Sequence, residues 1–311
     1  MSGPLQPVPD LSMSQSTALH SFTAPRSQAI LCLLGAVILW GVAPVGNRYF
    51  LGNGDLAMPG AAYMALRFSI SSLCFLPSVL MATRSWSLRD WARGSLCGFA
   101  GVSFYNLLAA VAGHTVSAGM TGLLNSSESL MILILACFVA RRLPDRRTLF
   151  AASMGALGVI VLAASSGPAE GSVSGILLLL LGAIGWAVYC VFIPPLIAKH
   201  GALESSAVTM FVGTLPLLAF GWHGLTPMAH HMTASEWELM LALAVGSSVL
   251  ALLAWNKGMA QLGAQTSGWF LYLMPVFSAL GGRLILKEPL TIYELIGGAL
   301  VLGSVYVAQR R

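Results

Sequence analysis

Glu128 lies in an apolar stretch, followed by Leu130, Met131, Ile132 and Leu133. At mid-membrane depth an ionised carboxylate costs a few kcal/mol unless it is paired or wetted. Thr121, Asn125, Glu128 and Ser129 recur three and four residues apart, so on a helix they share one face. Such a face can meet a ligand's ammonium group or bind a proton. The other reading is a structural ion pair, with Arg67 as partner. At 1.5 Å per residue, Arg67 lies ~13 Å and Glu128 ~19 Å from the same membrane edge, an offset that long side chains bridge. The two readings are compatible.

Aromatic residues form a second set. Trp186 and Tyr189 share a helical face, as do Gln265, Trp269 and Tyr272. Aromatic faces stack on rings and hold ammonium groups by cation–π attraction. Trp and Tyr also anchor helices at membrane surfaces, and Trp237 and Trp255 read most simply that way. Asn106, Asn125, Ser127 and Glu128 supply the polar groups that would accompany the aromatic surface. Pro44, Pro77, Pro216 and Pro275 interrupt helical runs, and Pro44 and Pro275 are the candidate hinges.

No nucleophile elbow, carboxylate pair or glycine-rich phosphate loop is present, so nothing points to an enzyme or a cofactor. Cys32, Cys74, Cys97, Cys137 and Cys190 all lie in apolar runs without metal-ligand spacing. His223, His230 and His231 read as part of a solvated loop around Trp222–Ser235, without the acidic or Cys partners a metal would need.

The elements that must position these groups are membrane helices. The chain is 57% hydrophobic and 9% charged. Apolar runs near 20 residues, each ~30 Å long as helix, recur along most of its length. The expected segments are 29–50, 58–82, 91–111, 115–140, 146–166, 173–197, 203–222, 236–257, 263–286 and 290–309. Residues 1–28 carry four prolines and many Ser and Thr, and read as a disordered cytoplasmic tail. The net charge of +5 reflects basic loops on one membrane face rather than affinity for nucleic acid. Lys and Arg cluster on alternate connections, which places both termini in the cytoplasm.

Sliding the chain by 145 positions pairs Gly101 with Gly246, Ser103 with Ser248 and Pro144 with Pro289. Leu33-Leu34-Gly35-Ala36 before Trp40 is echoed by Leu180-Leu181-Gly182-Ala183 before Trp186. The expected fold is an all-α polytopic membrane protein of ten transmembrane helices, in two five-helix units at 29–166 and 173–309. Five is odd, so the second unit starts on the opposite side and is inverted relative to the first. Inverted repeats with a site between them suit alternating access, whereas a purely structural duplication would only build a bundle.

On these residues the chain resembles the EamA branch of the drug/metabolite transporter superfamily. The resemblance rests on the 5+5 plan, Trp40-Gly41, Arg67-Phe68, Met274-Pro275, Lys287-Glu288-Pro289, Gly297 and Gly303. The first repeat departs from it, with Leu130 where Pro275 stands and Leu143 where Glu288 stands. Within the branch it is most similar to the aromatic amino-acid exporter group (YddG-type). The resemblance implies export of small metabolites, here aromatic or bulky apolar amino acids, across a bacterial inner membrane. Arg67, Asn106, Asn125, Ser127, Glu128, Trp186, Tyr189, Trp269 and Tyr272 are the expected substrate-binding residues. An exporter of organic cations fits the same set. The expected partners are the small-molecule substrate, the lipid bilayer and protons, in a monomer or weak dimer without metal or cofactor.

Overall fold

In lipid, backbone N–H and C=O groups must be satisfied within the chain, which favours helices. The computed structural model describes residues 26–51, 59–112, 115–116, 124–164, 172–277, 280 and 292–309, and the described residues are helical with no strand. The helices are α1 (Arg26–Leu51), α2 (Gly60–Ser85), α3 (Leu88–Gly98), α4 (Tyr105–Ala112), α5 (Ser127–Ala140) and α6 (Arg146–Ala164). The second half supplies α7 (Val173–Phe192), α8 (Pro194–His231), α9 (Ala234–Ala242), α10 (Ala251–Gly268) and α11 (Ile292–Gln309). Wide π-type turns carry α3 into α4 at Phe99–Phe104 and α9 into α10 at Leu243–Leu250. A tighter 3-10 turn, Trp269–Leu273, follows α10.

Among the described residues six helical stretches are long and apolar enough to cross a membrane: Arg26–Leu51, Gly60–Ser85, Leu88–Ala112, Val173–Phe192, Pro194–Pro227 and Ala234–Phe277. The polarity of the bundle runs inside out. Leu31, Leu73, Phe138, Ile160 and Phe220 are exposed, while Arg67, Glu128, Ser103 and Asn256 are buried. A lipid-facing exterior rewards the first arrangement, and internal hydrogen bonds make the second tolerable.

Each half packs on the other. α2 lies along α8, α1 along α10, α4 and α5 against α7, and α6 against α11. The Ser72 and Thr214 hydroxyls, 2.7 Å apart, join α2 to α8. Ser103 Oγ donates to Gly213 O at 2.5 Å, tying the first π turn to α8. The two π turns occupy matching places in the 145-residue register, each containing one member of the Gly101/Gly246 and Ser103/Ser248 pairs.

The connections expected at 198–202 and 258–262 shrink to single residues. Gly201 (φ 81°, ψ 164°) and Gly263 (φ 79°, ψ 162°) each break an otherwise continuous helix. Only glycine takes this backbone conformation cheaply. The solvated loop expected around Trp222–Ser235 is a further correction: α8 continues to His231, and Glu236 Oε2 accepts from the Thr233 N–H at 2.6 Å where the next helix starts. Pro44 lies inside α1, which runs on without a break. Pro275 is half-buried in the helical turn after the 3-10 segment. α1 begins at Arg26, so the last three residues of the expected tail are helical. The rest of that tail, Thr121, and the Lys287-Glu288-Pro289 motif lie outside the described residues.

At one end of the bundle the α2–α3 turn grips the residues around Gly201. Asp90 Oδ2 receives Lys199 Nζ at 2.6 Å and stands 3.2 Å from His200 Nε2. The His200 ring stacks on Trp86 at 4.6 Å, and Trp86 Nε1 donates to Glu204 Oε2 at 3.1 Å.

Candidate functional site

The two halves meet around a knot of aromatic rings. Trp40 of α1 contacts Trp186 of α7 and Trp255 of α10, both at 5.3 Å between centroids. Trp186 stacks on Tyr189 at 5.0 Å and lies 6.1 Å from both Tyr105 of α4 and Trp255. Trp255 and Tyr189 are completely buried. A Cβ on Gly101 would stand 2.6 Å from Tyr189 Cβ, so the absence of a side chain there gives the tyrosine its place.

The π turns hold this knot. A widened helical turn offsets its carbonyls from their usual donors and frees them for others. Ser247 O accepts from Trp40 Nε1 at 2.8 Å, and Ala244 O from Ser71 Oγ at 3.0 Å. At the matching position of the first half, Val102 O accepts from Asn106 Nδ2 at 2.8 Å. The half-buried Asn106 therefore spends one amide N–H on its own helix.

Arg67 is nearly buried, yet its partners are neutral. Nε donates to Ser248 Oγ at 3.1 Å, Nη2 to Ser247 Oγ at 2.6 Å and Nη1 to Asn47 Oδ1 at 3.0 Å. Tyr63 OH shares the Asn47 oxygen at 2.6 Å. The ion pair expected between Arg67 and Glu128 is absent among the described residues, where the ion pairs are those of Asp90. Serine hydroxyls across the bundle take the place of the carboxylate.

Glu128 is 3% exposed and stands in the first turn of α5 rather than mid-helix. The positive end of that helix favours a negative charge there. Its carboxylate lies beside the Tyr105 hydroxyl, and Oε1 has no hydrogen-bond partner among the described residues. Trp186 Nε1, Trp255 Nε1, Asn256 Oδ1 and Ser127 Oγ are likewise buried and unpartnered. Asn256 Nδ2 donates to Tyr189 OH at 2.7 Å and to Ser206 Oγ at 2.8 Å. Buried polar atoms left unsatisfied cost free energy, and their gathering around one ring cluster marks a place suited to a polar guest.

Not every expected residue joins this cluster. Asn125, two residues before α5, and Ser127, its first residue, are half-buried close in sequence to Glu128. Trp269 and Tyr272 stack on each other at 6.0 Å, with no ring contact to the cluster among the described residues. Tyr272 turns instead toward α6, where a Cβ on Gly155 would stand 2.9 Å from its ring. Ser129 Oγ donates to Gly268 O at 2.8 Å and fixes α5 against this segment. Trp255 corrects the surface-anchor reading. The expected segment ended at 257, but the helix runs on to the break at Gly263, and Trp255 is completely buried within it. Trp40, Asn47, Ser247 and Ser248 went unread as site residues. The sequence held one signal for Trp40, the Leu-Leu-Gly-Ala run that precedes both it and Trp186.

Residues 27–164 and 173–309 each match the EamA-like transporter family. An uncharacterized transporter of Archaeoglobus fulgidus is 25% identical over 88% of this chain and 96% of its own length. A probable terminal-alkyne amino-acid exporter of Streptantibioticus cattleyicolor is 27% identical over 92% of this chain and 94% of its own. One solved crystal structure, 23% identical, superposes with a TM-score of 0.74 over 91% of this chain and 97% of that one, which shows a shared fold. With both halves matched, the chain belongs to the EamA-like transporter family of the drug/metabolite transporter superfamily and is a multi-pass membrane protein.

Proposed function

We propose that this protein exports amino acids with aromatic or bulky apolar side chains across the bacterial inner membrane. The observation that carries this reading is the ring cluster of Trp40, Tyr105, Trp186, Tyr189 and Trp255 beside a buried, incompletely partnered Glu128. Rings stack on an aromatic or apolar side chain, and Glu128 meets the ammonium group. The likeness to a probable amino-acid exporter supports the same class.

In this reading ten helices form two inverted five-helix repeats, with both termini in the cytoplasm. The repeats rock about the ring cluster and expose it to either side in turn. Trp269 and Tyr272 join the substrate-binding surface only in another state of that cycle, with Pro44 and Pro275 as hinges. The near-complete burial of Trp255 and Tyr189 fits a state closed to both sides.

Export of organic cations is the second reading, favoured by the same carboxylate and ring faces. Proteoliposomes loaded with labelled Phe, Trp or Thr, with and without a proton gradient, separate the two. Amino-acid flux above empty vesicles supports the proposal, and its gradient dependence shows whether protons are coupled. Flux of an organic cation with no amino-acid flux overturns it in favour of the second reading.

A further inference from the structure

Two opposite charges are buried in this bundle without neutralising each other. Arg67 is 5% exposed and Glu128 3% exposed. Among the described residues no carboxylate lies within ion-pair distance of Arg67, and no cation within that distance of Glu128. Tyr105 stands near both, with the Glu128 carboxylate and the Arg67 guanidinium among the charges that act on its hydroxyl. Removing a charge from water costs several kcal/mol, which an opposite charge and good hydrogen bonds normally offset. Here the cation leans on three neutral oxygens, and the carboxylate keeps Oε1 without a partner. A guanidinium has five N–H groups, and three are used. Two guanidinium N–H groups beyond those three bonds, and one carboxylate oxygen, are thus left for a ligand.

We infer that Arg67 and Glu128 recognise the two ends of a zwitterion, the guanidinium taking a carboxylate and Glu128 taking the α-ammonium. The inference rests on the exporter reading and narrows it to substrates carrying both charges on one small backbone. The ring cluster then contacts the side chain, and its unpartnered Trp186 and Trp255 indole N–H groups are further donors on the carboxylate's side of the balance. A simple ammonium ion would satisfy Glu128 and leave the guanidinium short of an anion. A zwitterion supplies both charges while adding no net charge to the bundle. Arg67 is thus the residue that separates amino acids from amines.

The test uses the full chain in proteoliposomes and three labelled probes of one shape: phenylalanine, phenethylamine and 3-phenylpropionate. Loss of one charge-assisted hydrogen bond predicts a preference for phenylalanine of about tenfold or more over either single-charge probe. Phenethylamine moving as fast as phenylalanine overturns the inference and leaves the exporter reading intact. No flux of any probe, or of any other amino acid, overturns both. In Arg67→Gln the ratio of phenylalanine to phenethylamine flux is expected to fall to near one, and an unchanged ratio overturns the inference. Arg67→Lys keeps the charge and is expected to retain part of the preference. The wild-type series needs no variant, so a misfolded substitution leaves the test standing.

Discussion

Trp40 and Trp186 meet edge to face, with ring centroids 5.3 Å apart and planes at 90°. Each follows a Leu-Leu-Gly-Ala run in the first helix of its half, so two residues of echoed sequence neighbourhoods touch each other. The relation extends to the π turns. Val102 O and Ser247 O, separated by the repeat distance of 145 residues, each accept a side-chain N–H, from Asn106 and Trp40 respectively.

Trp186 is the ring with the most neighbours in this cluster, touching Trp40, Tyr105, Tyr189 and Trp255. Trp186→Ala is expected to cut phenylalanine flux at least about tenfold, since each lost aromatic pair is worth ~0.5–1.5 kcal/mol beyond area. Trp186→Phe should recover part of it. Proteoliposome flux decides, after monodisperse elution confirms that each variant is folded.

Glu128→Gln keeps the shape and removes the charge. Flux should fall strongly while membrane insertion stays intact. Thermal stability should hold or rise, because an incompletely partnered buried carboxylate is a liability to the fold. Unchanged export would exclude an essential charge at this position.

Gly201 and Gly263 have room for a Cβ but the wrong backbone for one, with nothing within 4 Å of the added atom. Gly201→Ala and Gly263→Ala should each cost about 1–3 kcal/mol in unfolding free energy. Gly35, helical and equally uncrowded, is the control, where alanine should be neutral or stabilising by ~1 kcal/mol. Equal effects at all three positions would reject a conformational origin.

Asp90 joins the α2–α3 turn to the Gly201 break through Lys199 and His200. Asp90→Asn retains the size but loses the charge that both basic residues face. Amide exchange should then quicken together at 86–92 and 198–204. Quickening on the α3 side alone would show that Asp90 acts only as a helix cap for Ser87.

Much of the helical plan was legible because a membrane imposes length and polarity on each segment separately. The expected 29–50 and 58–82 lie close to Arg26–Leu51 and Gly60–Ser85, and the breaks near 200 and 260 fell where single glycines turn the chain. The buried Glu128 and the Trp186–Tyr189 face could be picked out for the same reason, since polarity or aromaticity inside an apolar run stands out locally. Partners could not be read this way. Arg67 was assigned to the other buried charge because charges are conspicuous, whereas its actual acceptors include two serines some 180 residues away. A serine in an apolar helix carries no mark of what it faces. Trp255 looked like a surface anchor only because its helix was ended too early, and Tyr272 shares a face with Trp269 yet turns toward Gly155. Sequence by itself determined that long apolar stretches recur along the chain and roughly where the first of them lie, because those properties are settled one helix at a time. Which faces meet, and therefore which charges stay unpaired, was decided only when the two halves packed, because that depends on contacts between helices far apart in the chain.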